Sequence, residues 1–439
     1  MDAMKTLLLL AGRSRRFWPL EEKSLFPLCG QTLLAHQIDR LKKGGCKEKD
    51  IILVGGKHNK KETRALFPRL TFVEQKDLDL GMRGALLSAL PRLRGESVMV
   101  VGGNDVVEPE AYALLRKAAE KKDGAILAQR VKRYFPGGYL TVKSAPGHAY
   151  RVTSIIEKPG EGNEPSKLVN IVAHVHNDPA ALLAALKKVR SNHDDGYEAA
   201  LASMFDTHEY AAVAYEGIWQ PVKYPWHLLP LLQLLLKDVT TQSIHRTATV
   251  HQTAVIDGAV ILEEGVKVMP HATIVGPCVI GAGSIVGNNA LVCQASVGKK
   301  CVIGYDTEVK SSVLADNVWT HSTYLGDSVI GESVSFGGGT MTGNFRLDEG
   351  EIMSKVDGAP VPTGLAKLGA IVGQGCRFGI QVGVNPGVKV GRDTFIVGGS
   401  FVTEDVPDGS FVRMKEGKCV VSGNRTTAPD MAQRKKYFS

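Results

Sequence analysis

The feature that most constrains the fold is a six-residue period of aliphatic side chains in the second half of the chain. From Val250 onward every sixth position is aliphatic, in the series Val250, Ile256, Leu262, Val268, Ile274, Ile280, Val286 and Val292. A six-residue unit forms one flat face of a triangular coil, and stacked coils pair their backbones about 4.8 Å apart. The period therefore predicts a left-handed parallel β-helix of hexapeptide repeats.

Later runs at the same spacing indicate where the β-helix is interrupted. They are Val297, Ile303 and Val309; then Val318, Tyr324, Ile330 and Phe336; then Val372, Phe378, Val384, Val390, Ile396 and Val402. The breaks in phase near 293–297, 310–317 and 343–371 predict loops or distorted coils. The last break is too polar for a coil, and a ligand site is expected at such an excursion.

The first half of the chain follows a different pattern. Short β-rich runs alternate with helical stretches, and the strand runs are TLLLLAG, DIILVGG, LTFVEQ, SVMVVGGND, GAILAQR and RVTSIIEK. Alternation of this kind predicts an α/β domain with a Rossmann-like mixed sheet, mostly parallel and covered by helices. We therefore predict an α/β domain over 1–238, a linker over 239–249, the β-helix over 250–412 and a basic tail over 413–439.

Composition narrows the possible partners and compartments. The net charge of +8 suits acidic small molecules or nucleic acid, but the basic residues lack the interleaved aromatic residues typical of nucleic-acid binding. Seven scattered cysteines without a C-x-x-C pair indicate a reducing cytoplasm. The apolar run in MDAMKTLLLLAG is too short for a signal peptide, and no apolar run reaches the roughly 18 residues of a membrane span.

A basic, glycine-containing loop follows the first strand, in LLLAGRSRRFWPLEEKSLFPLCGQTLL. Backbone N–H groups and fixed cations in such a loop can hold a triphosphate. The stretch resembles the sugar-1-phosphate nucleotidylyltransferases, whose signature is roughly A-G-x-G-x-R, then P-K, then a glycine before a helix. The resemblance implies nucleotide binding by Ala11 and Gly12 and catalysis by Arg16 and Lys23. Ser14 replaces the second glycine of that signature.

Four further segments follow in the order of that family. EQKDLDLGMRG implies that Gln75 reads the edge of a pyrimidine and that Gly81 approaches the base. SVMVVGGND implies magnesium binding by Asp105. IIEKPGEGNEPSKLVN implies sugar-phosphate contacts, and the residues implied are Glu157, Lys158 and Asn170.

The fourth segment, YEGIWQPVKYPWHLL, departs from the family at one position. Pro221 stands where the family has its second metal-binding Asp. Mg²⁺ commonly uses one or two carboxylates together with substrate phosphates, so this substitution bears on activity. The sequence offers three other carboxylates that could serve instead, namely Asp194, Asp195 and Asp206.

A second constellation of polar residues lies in EVKSSVLADNVWTHSTYLGDSVIGESVSFGGGTMTGNFR. An amine that attacks a thioester must lose a proton, and histidine is the usual general base. The stretch resembles the acetyltransferase half of the bifunctional glucosamine-1-phosphate acetyltransferase and uridylyltransferase family, archaeal-type members especially. The residues that match its motifs are Glu308, Lys310, His321, Tyr324, Gly326, Asp327, Gly339, Thr340 and Asn344.

The second resemblance implies a role for each part of this constellation. His321 is the implied general base, and sugar-phosphate binding is implied for Lys310, Tyr324 and Asn344. Acetyl-CoA binding is implied for Gly338, and Lys367, just past the loop, is expected to contact the sugar phosphate or the phosphates of acetyl-CoA. Ser335 replaces an Asn of the family, and Gly338 replaces an Ala.

The function expected from both halves is bifunctional. The chain would acetylate glucosamine 1-phosphate with acetyl-CoA and transfer a nucleotidyl group from a nucleoside triphosphate to a sugar 1-phosphate, with Mg²⁺, as in UDP-N-acetylglucosamine synthesis. The expected assembly is a cytoplasmic homotrimer with acyl-CoA clefts between subunits. Two alternatives stay open: a nucleotidylyltransferase with the β-helix as a trimerising scaffold, or an acetyltransferase or regulatory protein with a degenerate N-terminal domain.

Overall fold

The computed structural model describes residues 4–93, 95–144, 150–191 and 195–428. The chain divides into two compact units, one formed by Met1–Arg13 and Leu34–Pro221 and the other by Ser14–Leu33 and Val222–Ser439. The segment Ser14–Leu33, expected in the N-terminal domain, therefore packs with the second unit. Among the described helices, none has the length and apolar character needed to cross a membrane.

The helices and strands up to Pro221 alternate along most of the segment. The helices are α1 (Leu33–Lys43), α2 (Lys57–Leu66), α3 (Gly81–Ala89), α4 (Pro109–Ala118), α5 (Pro179–Lys188) and α6 (Gly196–Met204). The strands are β1 (Lys5–Leu9), β2 (Pro27–Leu28), β3 (Gln31–Thr32), β4 (Ile51–Gly55), β5 (Thr71–Glu74), β6 (Val98–Gly102), β7 (Asp105–Val107), β8 (Gly124–Arg130), β9 (Gly138–Ser144), β10 (Tyr150–Glu157), β11 (Leu168–His176), β12 (Tyr210–Ala214) and β13 (Trp219–Pro221).

The first unit is built on a mixed sheet whose strand order, within the described residues, is β5-β4-β1-β6-β11-β8-β12-β10-β9. β5, β4, β1 and β6 are parallel neighbours, as the alternating pattern predicted. The other side is mainly antiparallel, because β11 runs against β6, β8 and β9, and β10 runs against β9 and β12. The sheet is mixed, as expected, but it is not mostly parallel. The difference arises because β9, β10 and β11 follow one another without a crossover helix.

The second unit adds one helix and a long series of short strands. The helix is α7 (Leu228–Leu236), and it follows Pro225 by three residues. The strands are β14 (Ser243–Ile244), β15 (Thr249–Val250), β16 (Val255–Asp257), β17 (Val260–Leu262), β18 (Lys267–Val268), β19 (Thr273–Val275), β20 (Cys278–Ile280), β21 (Ile285–Val286), β22 (Leu291–Cys293), β23 (Ser296–Val297), β24 (Val302–Ile303), β25 (Glu308–Lys310), β26 (Val313–Leu314), β27 (Tyr324–Gly326), β28 (Val329–Ile330), β29 (Ser335–Phe336), β30 (Met341–Thr342), β31 (Met353–Val356), β32 (Ala359–Pro362), β33 (Ile371–Val372), β34 (Arg377–Phe378), β35 (Gly383–Val384), β36 (Lys389–Val390), β37 (Phe395–Ile396), β38 (Phe401–Val402), β39 (Ser410–Lys415) and β40 (Lys418–Gly423).

Apart from β31, β32 and β40, which form antiparallel hairpins, these strands stack in parallel as the three faces of a left-handed parallel β-helix. Val260 pairs with Cys278, so a regular coil has three six-residue sides. The aliphatic series predicted from Leu262 to Val402 supplies most of a single continuous core, while Val250 lies exposed at the first coil. The coil strands begin at Ser243, inside the predicted linker. Strands β39 and β40 form an antiparallel hairpin where the basic tail was expected to begin.

The coils shorten before the long excursion. Val279 pairs with Ser296 and Ser296 pairs with Val313, so these two coils span 17 residues, whereas Val313 pairs with Val329, 16 residues further along. The prediction that Tyr324 faces inward with its six-residue series is wrong. Its neighbour Leu325 is fully buried in the core instead, while Tyr324 is half-buried on the outer side. A strict period of six cannot locate short sides of this kind.

Candidate functional sites

The parallel part of the first unit brings several predicted nucleotide-site residues to one edge of the sheet. Ala11 and Gly12 follow β1, Gln75 follows β5, and Asp105 follows β6 by two residues. Because β5, β4, β1 and β6 are parallel neighbours, their carboxyl ends lie at the same edge. Open α/β sheets bind ligands at this edge. A methyl group added at Gly12 would meet no atom, so the backbone there is open to a ligand.

Gln75 is held in a single orientation below this edge. Its side chain is 2% exposed, and its amide nitrogen Nε2 donates to the carbonyl oxygens of Asp77 at 2.7 Å and of Gly81 at 2.9 Å. Oε1 is buried and has no hydrogen-bond partner within the described ranges. An unsatisfied buried acceptor costs about 1–3 kcal/mol, so a ligand N–H group that reached Oε1 would be bound favourably.

Asp105 occupies the first position of β7, beside an aromatic partner. The indole Nε1 of Trp219 donates to its Oδ1 at 2.8 Å. Strands β7 and β13 are antiparallel, and Pro221 pairs directly with Asp105. The position of the family's second metal-binding Asp therefore lies across the ladder from the first, and a side chain without oxygen fills it.

Of the three alternative carboxylates that the sequence offers, two lie within the described residues. Asp195 accepts a hydrogen bond from the Ser191 hydroxyl, Asp206 is exposed after α6, and Asp194 lies outside the described residues. No group of three or more His, Cys, Asp or Glu side chains in the described ranges could hold a metal ion. The donor set fits Mg²⁺ only as a one-carboxylate site in which substrate phosphates supply most ligands.

The predicted sugar-phosphate residues form a row across three neighbouring strands. Gly138 of β9 pairs with Glu157 of β10, and Val169 of β11 pairs with Tyr139, so Asn170 follows opposite Gly138. A Cβ at Gly138 would lie 3.2 Å from Oε2 of Glu157, so the absence of a side chain leaves room between Glu157 and Asn170. The row brings Asn170 and Glu157 together.

Lys158 completes this row at the end of β10. It has a positive φ of 43°, and its ammonium group lies 3.1 Å from Oε1 of Glu157. The carboxylate and the exposed ammonium group together offer both an acceptor and donors to a polar ligand.

A buried hydrogen-bond network that the sequence did not predict lies next to Asn170. His174 and His176 of β11 are joined by hydrogen bonds to Tyr197 of α6 and Tyr210 of β12, and His174 also contacts Asn170. Burial lowers the pKa of His174 to about 3 and lowers the pKa of His176 well below its usual range. The paired His residues in one strand were the available signal, but their tyrosine partners are distant in sequence.

The predicted catalytic residues Arg16 and Lys23 belong to the second unit. Their segment, Ser14–Leu33, is anchored there by Trp18, whose indole Nε1 donates to Oδ1 of Asp408 at 2.9 Å. Ser14 has a φ of 50°, a conformation that favours glycine. This explains why a glycine suits that position of the nucleotidylyltransferase signature.

The predicted acetyl-transfer residues of the second unit converge where the long excursion leaves the β-helix. Nδ2 of Asn344 donates to Oδ2 of Asp327 at 2.6 Å, and Asn344 also hydrogen-bonds the Tyr324 hydroxyl. Glu308 pairs with Tyr324 on adjacent coils, and Lys310 pairs with Gly326. A Cβ at Gly326 would collide with the Tyr324 and Asn344 side chains, so glycine is required for this packing.

The charges in this cluster offset one another in part. Burial raises the pKa of Asp327, while the Asn344 hydrogen bond and the positive charges of Lys367 and Lys310 act in the opposite direction. Burial also raises the pKa of Tyr324, and the carboxylates of Glu308 and Asp327 add to this effect. A bound anion would therefore meet two lysines, and a bound amine or hydroxyl group would meet carboxylates.

The excursion brings Lys367 back to the start of its own loop. Phe345 and Lys367 form an antiparallel bridge, and the Lys367 ammonium group lies 5.8 Å from the centre of the Phe345 ring. Between them β31 and β32 form a hairpin. The predicted break in the period at 343–371 is thus a folded excursion that places Asn344 and Lys367 side by side.

His321 lies at a coil corner between two glycines. Gly304 of the preceding coil would meet the His321 backbone if it carried a Cβ, and a Cβ at Gly338 of the next coil would lie 3.4 Å from Cδ2 of His321. The imidazole is exposed, and the structure records no hydrogen bond or ion pair between it and the Asp327 cluster among the described residues. Gly304 therefore allows the close approach of the corner backbone, and Gly338 lies beside the exposed ring.

Comparison with known proteins places this geometry in context. Residues 6–253 match the family model of the MobA-like NTP transferase domain, and residues 259–294 match the bacterial transferase hexapeptide model. A bifunctional sugar-1-phosphate nucleotidylyltransferase/acetyltransferase of Sulfurisphaera tokodaii is 31% identical over 422 residues, covering 94% of this chain and 100% of that protein. This chain belongs to that family.

Other proteins are similar to all or to part of this chain. The bifunctional protein GlmU of Methanococcus maripaludis is 28% identical over 94% of this chain and 98% of its own length. Among solved structures, a UDP-glucose pyrophosphorylase complexed with UDP-glucose aligns with a TM-score of 0.47 and 17% identity, covering 54% of this chain and 99% of that chain. As a member of the nucleotidylyltransferase/acetyltransferase family, the chain is a transferase, and the resemblance found in its sequence to the archaeal-type members is confirmed.

Proposed function

We propose that this transferase catalyses two successive reactions of nucleotide-sugar synthesis of the UDP-N-acetylglucosamine type. The β-helix acetylates glucosamine 1-phosphate with acetyl-CoA, and the α/β domain joins a nucleotidyl group to the resulting sugar 1-phosphate. The observation that carries this proposal is the cluster of Tyr324, Asp327 and Asn344, which the long excursion holds beside Lys310 and Lys367. A regular coil forms without such an excursion, and a ligand site is expected where one occurs.

In the acetylation, the amine of glucosamine 1-phosphate attacks the thioester carbon of acetyl-CoA, and the C–S bond breaks to release coenzyme A. His321 accepts the proton that the amine loses, since its ring is exposed between glycines. Lys310 and Lys367 attract the sugar phosphate, while Asp327 and Asn344 orient the sugar. The thioester arm is proposed to bind beside Gly338, where even a Cβ would make only an ordinary contact with the imidazole.

In the nucleotidyl transfer, an oxygen of the sugar phosphate attacks the α-phosphorus of the nucleoside triphosphate, and pyrophosphate leaves. Positioning and charge neutralisation supply most of the catalysis in such a reaction. Gln75 and Gly81 hold the base, and Asn170, Glu157 and Lys158 hold the sugar phosphate. Mg²⁺ bound through Asp105 would neutralise phosphate charge.

The acetylating form of the protein is a homotrimer of β-helices with acetyl-CoA clefts between subunits. Support comes from apolar side chains on the outer surface of the β-helix. Met341 is 57% exposed and Phe401 is 55% exposed, on the same face as Tyr324, and Ile380 at a nearby corner is also exposed. Burial of these side chains against another subunit would be favourable.

Pro221 supports a second candidate, an acetyltransferase whose α/β domain has lost its own activity. Its place opposite Asp105 leaves one carboxylate where the family has two. The test of both candidates is a screen of nucleoside triphosphates and sugar phosphates for pyrophosphate release, run beside a coenzyme A release assay. The bifunctional proposal requires turnover in both assays. Coenzyme A release alone would establish the second candidate.

A further inference from the structure

A continuous chain of hydrogen bonds runs through the core of the first unit from Tyr210 to Asn170. Tyr210 Oη lies 2.8 Å from His176 Nδ1, and His176 Nε2 lies 2.9 Å from Tyr197 Oη. Tyr197 Oη lies 2.6 Å from His174 Nδ1, and His174 Nε2 lies 2.6 Å from Asn170 Oδ1. All five side chains are buried, which shields the bonds from competition by water.

This chain of hydrogen bonds from Tyr210 to Asn170 is called the relay below. The amide oxygen of Asn170, at its end, determines which atom donates and which accepts in each of its bonds. Oδ1 of Asn170 can only accept, so His174 carries its proton on Nε2 and accepts at Nδ1 from the Tyr197 hydroxyl. The Tyr197 oxygen then accepts from Nε2 of His176, whose Nδ1 accepts from Tyr210. Both imidazoles are neutral in this arrangement, in agreement with pKa values lowered by burial.

An irregularity in β11 makes the contact between Asn170 and His174 possible. Residues four apart in a regular strand are separated by about 13 Å. Here Asn170 pairs with Ala128 and His174 with Ile126, so four steps on β11 oppose two on β8. The bulge draws the two side chains into hydrogen-bonding distance. Bulges of this kind commonly re-aim side chains near active sites.

We propose that His174 is a positioning residue for sugar-phosphate recognition. The relay occupies Oδ1 of Asn170 and so turns the NH₂ group of Asn170 toward the bound sugar phosphate. Asn170 then offers donors only, which selects a hydroxyl or phosphate oxygen of the ligand. The proposal rests on the proposed function, which places Asn170 at the sugar phosphate. Tyr197 and His176 act through His174 by fixing its tautomer.

The test uses the full chain with UTP and N-acetylglucosamine 1-phosphate, and follows pyrophosphate release. Tyr197→Phe keeps the ring but removes the hydroxyl that donates to His174. The His174 tautomer is then no longer fixed, so the orientation of the Asn170 amide is no longer held. The KM for the sugar phosphate should rise about tenfold, as expected for one misplaced hydrogen bond, while kcat and the KM for UTP stay within about twofold. Leu182→Val, a change of a fully buried side chain of α5, controls for loss of stability alone.

Two variants separate failure of the relay from failure of the proposed function. Asn170→Asp keeps an acceptor for His174 but loses the donors, so it should raise the sugar-phosphate KM at least as much as Tyr197→Phe. An unchanged KM in Asn170→Asp would show that Asn170 does not contact the sugar phosphate, and both ideas would fall. A raised KM in Asn170→Asp with an unchanged KM in Tyr197→Phe would overturn the relay alone. An equal rise in Leu182→Val would also overturn it.

Discussion

Pro221 lies directly across the β7–β13 ladder from Asp105. Side chains opposite each other on antiparallel strands have Cβ atoms about 4.5–5.5 Å apart, so a carboxylate at position 221 could share a cation with Asp105. We predict that Pro221→Asp lowers the magnesium concentration for half-maximal pyrophosphate release by about tenfold, a typical effect of one added ligand. Titration of the activity with magnesium chloride measures it.

Pro221→Ala is the matched control for that experiment. It removes the proline ring without adding oxygen, so the magnesium dependence should stay as in the wild type. If both variants shift the magnesium dependence equally, the effect comes from backbone freedom and the metal assignment of Asp105 loses its support.

The buried histidines predict a specific loss of stability in mild acid. Burial lowers the pKa of His174 to about 3, below the value of about 6.5 for an unfolded chain. Between these values the unfolded chain binds more protons, so stability falls as the pH drops below about 6.5, by up to about 1.4 kcal/mol per pH unit per histidine. Urea denaturation between pH 7 and pH 5 measures the slope, and a midpoint independent of pH in that window would contradict the prediction.

The two glycines that flank His321 predict opposite outcomes for the same substitution. A Cβ at Gly338 makes an ordinary contact of 3.4 Å with the imidazole, so Gly338→Ala should change the rate of coenzyme A release by less than about threefold. A Cβ at Gly304 would collide with the carbonyl oxygen of Thr320, so Gly304→Ala should displace the corner and lower both Tm and rate. Thermal unfolding and acetyl transfer measured on one preparation compare them. Equal Tm values and equal rates of coenzyme A release in the two variants would show that the geometry of the corner at His321 does not affect stability or activity.

The exposed apolar face predicts self-association. Phe401→Glu places a charge on the last strand of the face proposed to pack between subunits, and burial of an unpaired charge is costly. The variant should elute as a monomer in size-exclusion chromatography with light scattering, and the wild type is expected to elute as a trimer. Lys418→Glu, on the exposed hairpin strand β40, is the control for added negative charge. A variant that stays trimeric would remove this face from the interface.

The sequence pattern predicted much of the β-helix because one physical rule repeats along it. Each aliphatic residue of the series from Leu262 to Val292 enters the core, and the polar break after Met341 marks the excursion. Tyr324 shows where the rule ends. The shortened coil sides around it depend on how corners pack, and Leu325 takes the inward position.

The site residues show a similar division. Motif order could point to Asn170, Asp105 and His321, but the contacts that orient them come from distant segments. The hydrogen bond from Tyr197 to His174 joins a helix to a strand, and the pairing of Pro221 with Asp105 joins residues 116 positions apart. Local sequence patterns do not predict such pairings between distant residues.

The central claim is that two independent active sites lie on one chain, and crossed rate measurements test it most directly. Coenzyme A release and pyrophosphate release are measured on His321→Ala and on Asp105→Ala, each shown to be folded by its thermal transition. We predict that His321→Ala loses at least about a hundredfold in coenzyme A release and keeps pyrophosphate release, and that Asp105→Ala does the reverse. A variant that loses both activities while folded, or keeps both, would contradict the account.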